Sequence, residues 1–343
     1  MDYSKRIYYL LLVVIIVLLL IYAEKLLIPF VLAILIWFVI RVLKSLLLKL
    51  PYTGKLPSWI LTVISSIILL SLLSFTVSLI TNNIQQISSS IPKYEENINI
   101  VAEKINRRLN IDPVKSMTDT IRDFNFSKIL SPLFSALTSI FGNAFLFLVY
   151  LVFILLEEPI FKRKLKAVYR TPEQYDYITG ILQKIDESIN NYIAVKTITS
   201  LSTGFLSFFV LYFVGLDAPF FWAFLIFILN YIPNIGSLTA TLFPAVFALL
   251  QFGDLTQPLL VLIIVGSIQL TIGSFLEPRI MGNTLNMSPL VVFLTLVLWG
   301  TIWGVTGMLL SVPITVIIIL ILNEFPETRA VAILLSRKGD PEA

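Results

Sequence analysis

The chain has 343 residues, of which 57% are apolar and only 13% charged, with a net charge of +4. No water-soluble domain of this composition could cover its apolar surface with polar groups, so the chain reads as an integral membrane protein. Cysteine and histidine are both absent, which excludes disulfide frameworks, thiolate chemistry, zinc sites and histidine acid–base catalysis.

The chain opens with Lys5, Arg6 and an apolar run, as a secretory signal does. No small-residue cleavage site follows, so this run is expected to stay as a span. A bilayer core takes about 20 apolar helical residues. By that measure the predicted spans are 7–22, 26–40, 59–80, 133–156, 198–214, 220–250, 259–275 and 290–322. The first two are short and are expected to form a tight hairpin, with Glu24 and Lys25 reaching the interface at its tip.

Basic residues then set the orientation. Lys5 and Arg6 precede the first span; Arg41, Lys44, Lys49 and Lys55 follow the second. Lys162, Arg163, Lys164, Lys166 and Arg170 follow the fourth, and Arg329, Arg337 and Lys338 follow the last. Eight crossings place all of them on one side, so both termini are expected in the cytoplasm. Scattered through loops in this way, they offer no nucleic-acid surface. The Glu157-Glu158 pair before Pro159 is expected to cap the fourth span at the interface.

Two polar insertions separate the spans. Residues 81–131 repeat apolar positions at helical spacing and read as a helical extracytoplasmic module. Residues 157–191 read as a cytoplasmic amphipathic segment. Its Thr171-Pro172-Glu173-Gln174 start has the form of a capping box, and its apolar periodicity runs into the fifth span as one long helix.

The segments 220–250 and 290–322 exceed one untilted crossing, and both are interrupted. Asn230, Pro233, Asn234, Gly236 and Pro244 break the first; Gly300, Gly304, Gly307 and Pro313 break the second. Breaks at membrane depth free backbone groups that only neighbours or a polar cavity can satisfy. Paired breaks of this kind point to a transporter's solute path. Ordinary kinks and close helix packing at small residues are the plainer alternative. Each segment either crosses once or folds back as a re-entrant hairpin. Between them lies Glu277-Pro278-Arg279, where the acid and the base could close a local ion pair as a gate. Asn230, Asn234, Gln269, Thr271 and Ser274 are the polar groups expected to face an interior.

The sequence has no Walker-type loop, no nucleophile elbow and no His-Glu-x-x-His pair, so it does not read as an enzyme and calls for no cofactor or metal. No predicted span carries an acid or a base at its centre, where proton-driven pumps commonly place one.

The C-terminal half resembles the autoinducer-2 exporter family of membrane transporters. The resemblance is carried by Asn191-Tyr192-Ile193, Gly215-Leu216-Asp217-Ala218-Pro219 and Ile232-Pro233-Asn234-Ile235-Gly236. It continues through Glu277-Pro278-Arg279-Ile280-Met281-Gly282, Asn286-Met287-Ser288-Pro289 and Gly304-Val305-Thr306-Gly307 to Pro313. Ser237 departs from the pattern, which often has a second proline there, and so predicts a softer kink. The resemblance implies a permease of eight spans working as a homo-oligomer, with a pentamer implied. It also implies export of a small furanosyl quorum-sensing signal, with sodium or lithium exchange for protons in relatives.

The reading is therefore an all-α integral membrane protein with about eight transmembrane helices, two of them long and Gly/Pro-interrupted. It groups as 1–80 (three spans), 81–131, 132–156 (the fourth span), 157–191, a transport core 192–322 and a cytoplasmic tail 323–343. The expected function is export of small polar or amphiphilic solutes across a bacterial-type cytoplasmic membrane. The expected path residues are Asn230, Pro233, Asn234, Gly236, Gln269, Glu277, Pro278, Arg279, Gly300, Gly304, Gly307 and Pro313. A sodium(lithium)/proton antiporter coupled through Asp217 and Glu277 is the first alternative, and a non-transporting membrane scaffold the second.

Overall fold

The structure is a computed structural model that describes residues 3–50, 56–72, 74–76, 78–79, 83, 97, 144–281, 287–337 and 339. Most of the insertion at 81–131, the start of the fourth predicted span, Lys55, and the motif residues Gly282, Asn283 and Asn286 lie outside the described residues. Every regular element described is a helix, as a lipid environment demands of a chain whose backbone must satisfy itself. They are α1 (Tyr3–Tyr22), α2 (Glu24–Leu48), α3 (Ser58–Thr76), α4 (Ala144–Val168) and α5 (Pro172–Val214). After these come α6 (Pro219–Leu229), α7 (Ile235–Phe252), α8 (Thr256–Met281), α9 (Pro289–Glu324) and α10 (Arg329–Leu335). Six of the described helices are long and apolar enough to cross a membrane. The chain is an all-α membrane protein.

Two compact units divide the chain: Met1–Thr62 with Ser135–Ile193 and Asn283–Ala343, and Val63–Phe134 with Ala194–Gly282. In the first unit, α1 and α2 do not form the expected hairpin. One residue, Ala23, separates them, with near-helical dihedrals of −92° and 12°. A helical hairpin needs a loop of about 2–5 residues to reverse the chain, so α1 and α2 meet at a bend. α2 packs on α4, where Phe30 and Tyr150 meet edge to face at 5.4 Å. The Glu157-Glu158 pair does not end α4, which continues through Pro159 to Val168. Glu158 accepts the Trp37 indole N–H at 2.9 Å and lies 3.8 Å from Arg41. Arg41 also forks onto Asp186 of α5, one of its two contacts being 3.1 Å. Glu158, Arg41 and Asp186 thus join three helices.

α5 is a single 43-residue helix. Thr171 starts it, its hydroxyl accepting the Gln174 N–H at 3.4 Å. In the second unit its end, Gly215 to Ala218, turns into α6 with two residues at positive φ, Gly215 and Ala218. Gln251, near the end of α7, braces this turn by accepting the Asp217 N–H at 2.7 Å and donating to the Gly215 carbonyl at 2.8 Å. Asn97 donates to the Leu250 and Gln251 carbonyls at 3.0 and 2.7 Å, satisfying the C-terminal groups of α7.

Candidate functional site

The segment 219–252 is a helical hairpin. α6 has 11 residues, roughly 16 Å of helix and about half a bilayer core. The chain then reverses through Asn230–Asn234, and Trp222 of α6 lies 4.8 Å, ring to ring, from Phe247 of α7. The reversal depends on two local features. Ile235 donates to the Pro233 carbonyl at 2.6 Å across Asn234, which sits at φ 58° and ψ −57°. This is the high-energy form of the γ-turn, rare for a residue with a side chain. Two positions on, a Cβ on Gly236 would lie 1.8 Å from the Leu229 carbonyl oxygen, so only glycine fits. The break is complete even though Ser237 replaces a proline, because Asn234 and Gly236 make the turn.

Asn234→Gly removes the positive-φ cost at some loss of backbone entropy, a net gain of about 1 kcal/mol. Its melting midpoint in detergent is expected to rise, and that of Asn234→Ala to fall.

The tip of this hairpin meets α5. The Asn230 amide donates to Ser200 at 3.0 Å, and the Tyr231 hydroxyl lies 2.8 Å from that of Thr197. Along α5, Lys196, Thr199, Ser200, Thr203 and Ser207 are all buried, a polar stripe at helical spacing. Gly204 lies beside this stripe, and a Cβ there would approach the Ala223 carbonyl at 3.0 Å. Small residues here let α5 and α6 pack backbone to backbone.

Glu277 reaches the same turn of α5 through a device not visible in hydropathy. Residues Thr271–Leu276 of α8 form a π-helical turn, closed by the Glu277 N–H on the Ile272 carbonyl. Pro278 has no N–H to give Ser274, and so favours this wider loop. The extra residue rotates the helix. Buried positions run Val261, Val265, Gln269, Ile272 and then Met281, with Glu277 turned inward where an ordinary helix would place Leu276. Glu277 bonds Lys196 at 2.6 Å, with the Thr199 hydroxyl 3.4 Å from its second oxygen. The expected ion pair with Arg279 is replaced by this one, since Pro278 and Arg279 are exposed.

Gln269 lies two residues before the π segment and is only 5% exposed. Neither its amide nitrogen nor its amide oxygen has a partner among the described residues. A Cβ on Gly266, one turn earlier on the same face, would meet Thr241 of α7 at 3.7 Å. In this antiparallel pair that register points Gln269 toward the N-terminal turns of α7. Further along α7, Pro244 leaves the buried Ala240 without the N–H its carbonyl would otherwise accept. The Gln269 amide can both donate to and accept from a polar solute.

The second interrupted segment also folds back, within the first unit. α9 is broken at Trp303 and at Gly304, whose φ of 60° and ψ of −141° suit only glycine. A Cβ on Gly307 would lie 1.9 Å from the Trp299 carbonyl oxygen, and one on Gly300 2.9 Å from the Met308 methyl. A straight helix would hold residues 300 and 308 about 12 Å apart, so the two arms are in contact. Pro313 leaves Leu309 without a donor, and Ser311 and Thr315 beside it are buried.

Of the groups expected to face an interior, Asn230 and Gln269 do so. Asn234, Thr271 and Ser274 are exposed, the last two because they lie in the π turn. Asn230 and Glu277 share a turn of α5, whereas Asp217 stands beyond its far end. Roughly 27 Å of helix, at about 1.5 Å per residue, separates Lys196 from Val214. Lys196 and the Ser/Thr stripe were the unread part of the site. Their signal was spacing, in that residues 196, 199, 200, 203 and 207 share one face of a helix.

A family model described as AI-2E family transporter matches residues 10–327. The protein named AI-2 transport protein TqsA of Escherichia coli (strain K12) is 32% identical, over 92% of this chain and 90% of that protein. A Haemophilus influenzae protein named "Putative transport protein" is 30% identical, over 93% of this chain and 92% of its own length. The chain belongs to the AI-2E transporter family and is a multi-pass membrane transport protein.

Proposed function

We propose that this AI-2E family transporter exports small, neutral, hydroxyl-bearing solutes across a bacterial-type cytoplasmic membrane, with its two hairpins as the moving parts. The observation that carries the reading is Gln269, whose buried amide offers a donor and an acceptor with no partner among the described residues. An unsatisfied buried amide is costly to keep. Solute hydroxyls, which donate and accept, match it. The name of the relative TqsA makes autoinducer-2 the first solute to test. An antiporter reading has less support, because Glu277 is already neutralised by Lys196 and Asp217 lies far from both. The chain acts as a carrier and performs no chemistry on its solute. A homo-oligomer, with a pentamer implied by the family resemblance, and cytoplasmic termini set by the basic clusters complete the proposal.

The test is counterflow of labelled autoinducer-2 in proteoliposomes. Gln269→Leu is expected to lower the flux about tenfold or more, the scale of a lost buried polar contact. Its melting midpoint should stay level or rise, since the substitution removes unsatisfied polar atoms. Wild-type flux in Gln269→Leu would take the amide out of the path. A sodium-dependent proton signal lost in Glu277→Gln would replace solute export with cation exchange.

A further inference from the structure

The bend between α1 and α2 and the turn of the second hairpin meet inside the first unit. In an unbroken helix the Leu20 carbonyl would accept the Glu24 N–H. The bend interrupts that ladder. The Ala23 N–H goes to the Leu19 carbonyl at 2.9 Å, and the next bonds, from Leu26 and Leu27, go to the Ala23 carbonyl at 3.0 and 2.9 Å. Leu20 instead accepts the indole N–H of Trp303 at 3.0 Å.

Trp303 is the non-helical residue immediately before Gly304, at φ −126° and ψ 17°. It is 6% exposed and tilted against Trp299 at 5.2 Å. Leu20, Leu27, Ile28, Val31, Leu32 and Leu35 pack around Trp299, Trp303 and Leu310. A polar bond enclosed by aliphatic side chains is shielded from water. Breaking it leaves both groups without a partner.

The geometry points to Trp303 as a positioning residue: its indole N–H on the Leu20 carbonyl ties the turn of the second hairpin to the α1–α2 bend and biases the hairpin toward this state. The bend frees the carbonyl and the break in α9 supplies the donor, so each irregularity satisfies the other. If the hairpin swings away, the bond is lost, and α1–α2 can straighten as Glu24 recovers its helical acceptor. The role in transport rests on the reading that the hairpins move; the strap itself does not.

The chain has no cysteine, so Val305→Cys beside the turn is a clean reporter. Trp303→Phe keeps a ring and removes the N–H. Maleimide labelling of Val305→Cys in liposomes is expected to be several-fold faster with Trp303→Phe than with Trp303. The maximal rate of autoinducer-2 flux should change while its half-saturation holds. Equal labelling in both backgrounds overturns the strap.

A second measurement uses the wild-type protein and does not depend on the variant folding. Hydrogen exchange of the five indole N–H groups is read in nanodiscs. Trp303 is expected to exchange at least about tenfold more slowly than Trp59, which is 67% exposed. Equal rates would also overturn the strap. A labelling difference that persists where the wild type moves no autoinducer-2 supports the strap and removes only the solute assignment.

Discussion

Replacing Gly236 with alanine is expected to abolish transport, and Gly307→Ala to do the same. In each hairpin the glycine lies against a backbone carbonyl of the preceding arm. An added Cβ would stand 1.8 Å from the Leu229 oxygen or 1.9 Å from the Trp299 oxygen. Neither obstacle is a side chain that can rotate away, so the arm itself must move. Overpacking of this sort costs about 3 kcal/mol or more when the backbone cannot yield. Gly304→Ala tests a different demand, since nothing lies within 4 Å of its added Cβ and only its φ of 60° resists substitution. It should therefore be milder. Counterflow and melting midpoints of the three variants rank these effects. Full transport by Gly236→Ala would mean that the tip of the first hairpin is not held as described.

The second large effect belongs to the buried ion pair. The Lys196 and Glu277 side chains are only 7% and 16% exposed, so each depends on the other to offset desolvation. Lys196→Met leaves a buried carboxylate, and Glu277→Leu leaves a buried ammonium. Each is expected to destabilise the folded protein by about 3–5 kcal/mol. The double variant Lys196→Met/Glu277→Leu should recover most of that loss, because two apolar groups of similar volume need no partner. Denaturation of the four proteins in detergent closes the cycle. Single variants that each cost under about 1 kcal/mol would show that water screens the pair. Transport by the double variant then separates two roles: recovered stability without flux would mean that the charges take part in movement.

Much of this was legible in the chain. Hydropathy located the six described helices that are long and apolar enough to cross a membrane, because lipid tolerates long runs without charge and little else. The capping residues of α5 and α9 mark their starts, since Thr171 and Ser288 each offer an oxygen to the N–H three residues on. The two interrupted segments were also evident as interruptions, Gly and Pro being poor members of an uninterrupted helix.

Local signals could not choose between a kink and a reversal. That choice depends on whether the far arm can approach, which Gly236 and Gly307 allow by lying against carbonyls seven and eight residues earlier in the chain. Nor could spacing predict that Glu277 turns inward. Its position follows from a π turn whose extra residue shifts the phase of the helix, and ordinary periodicity assigns that place to Leu276. The one-residue bend at Ala23 was hidden for a similar reason. Glu24 and Lys25 suggested a hairpin tip, but a bend was enough once Trp303 could take the carbonyl it released.

The sequence by itself determined that this is an all-α membrane protein with two broken segments, because composition and short-range periodicity report directly on solvent and on backbone freedom. Only the tertiary structure decided which groups meet, Lys196 with Glu277, Asn230 with Ser200 and Trp303 with Leu20. Those pairings join residues 30 to nearly 300 positions apart. Long-range partners of this kind are chosen by packing, which no local pattern encodes.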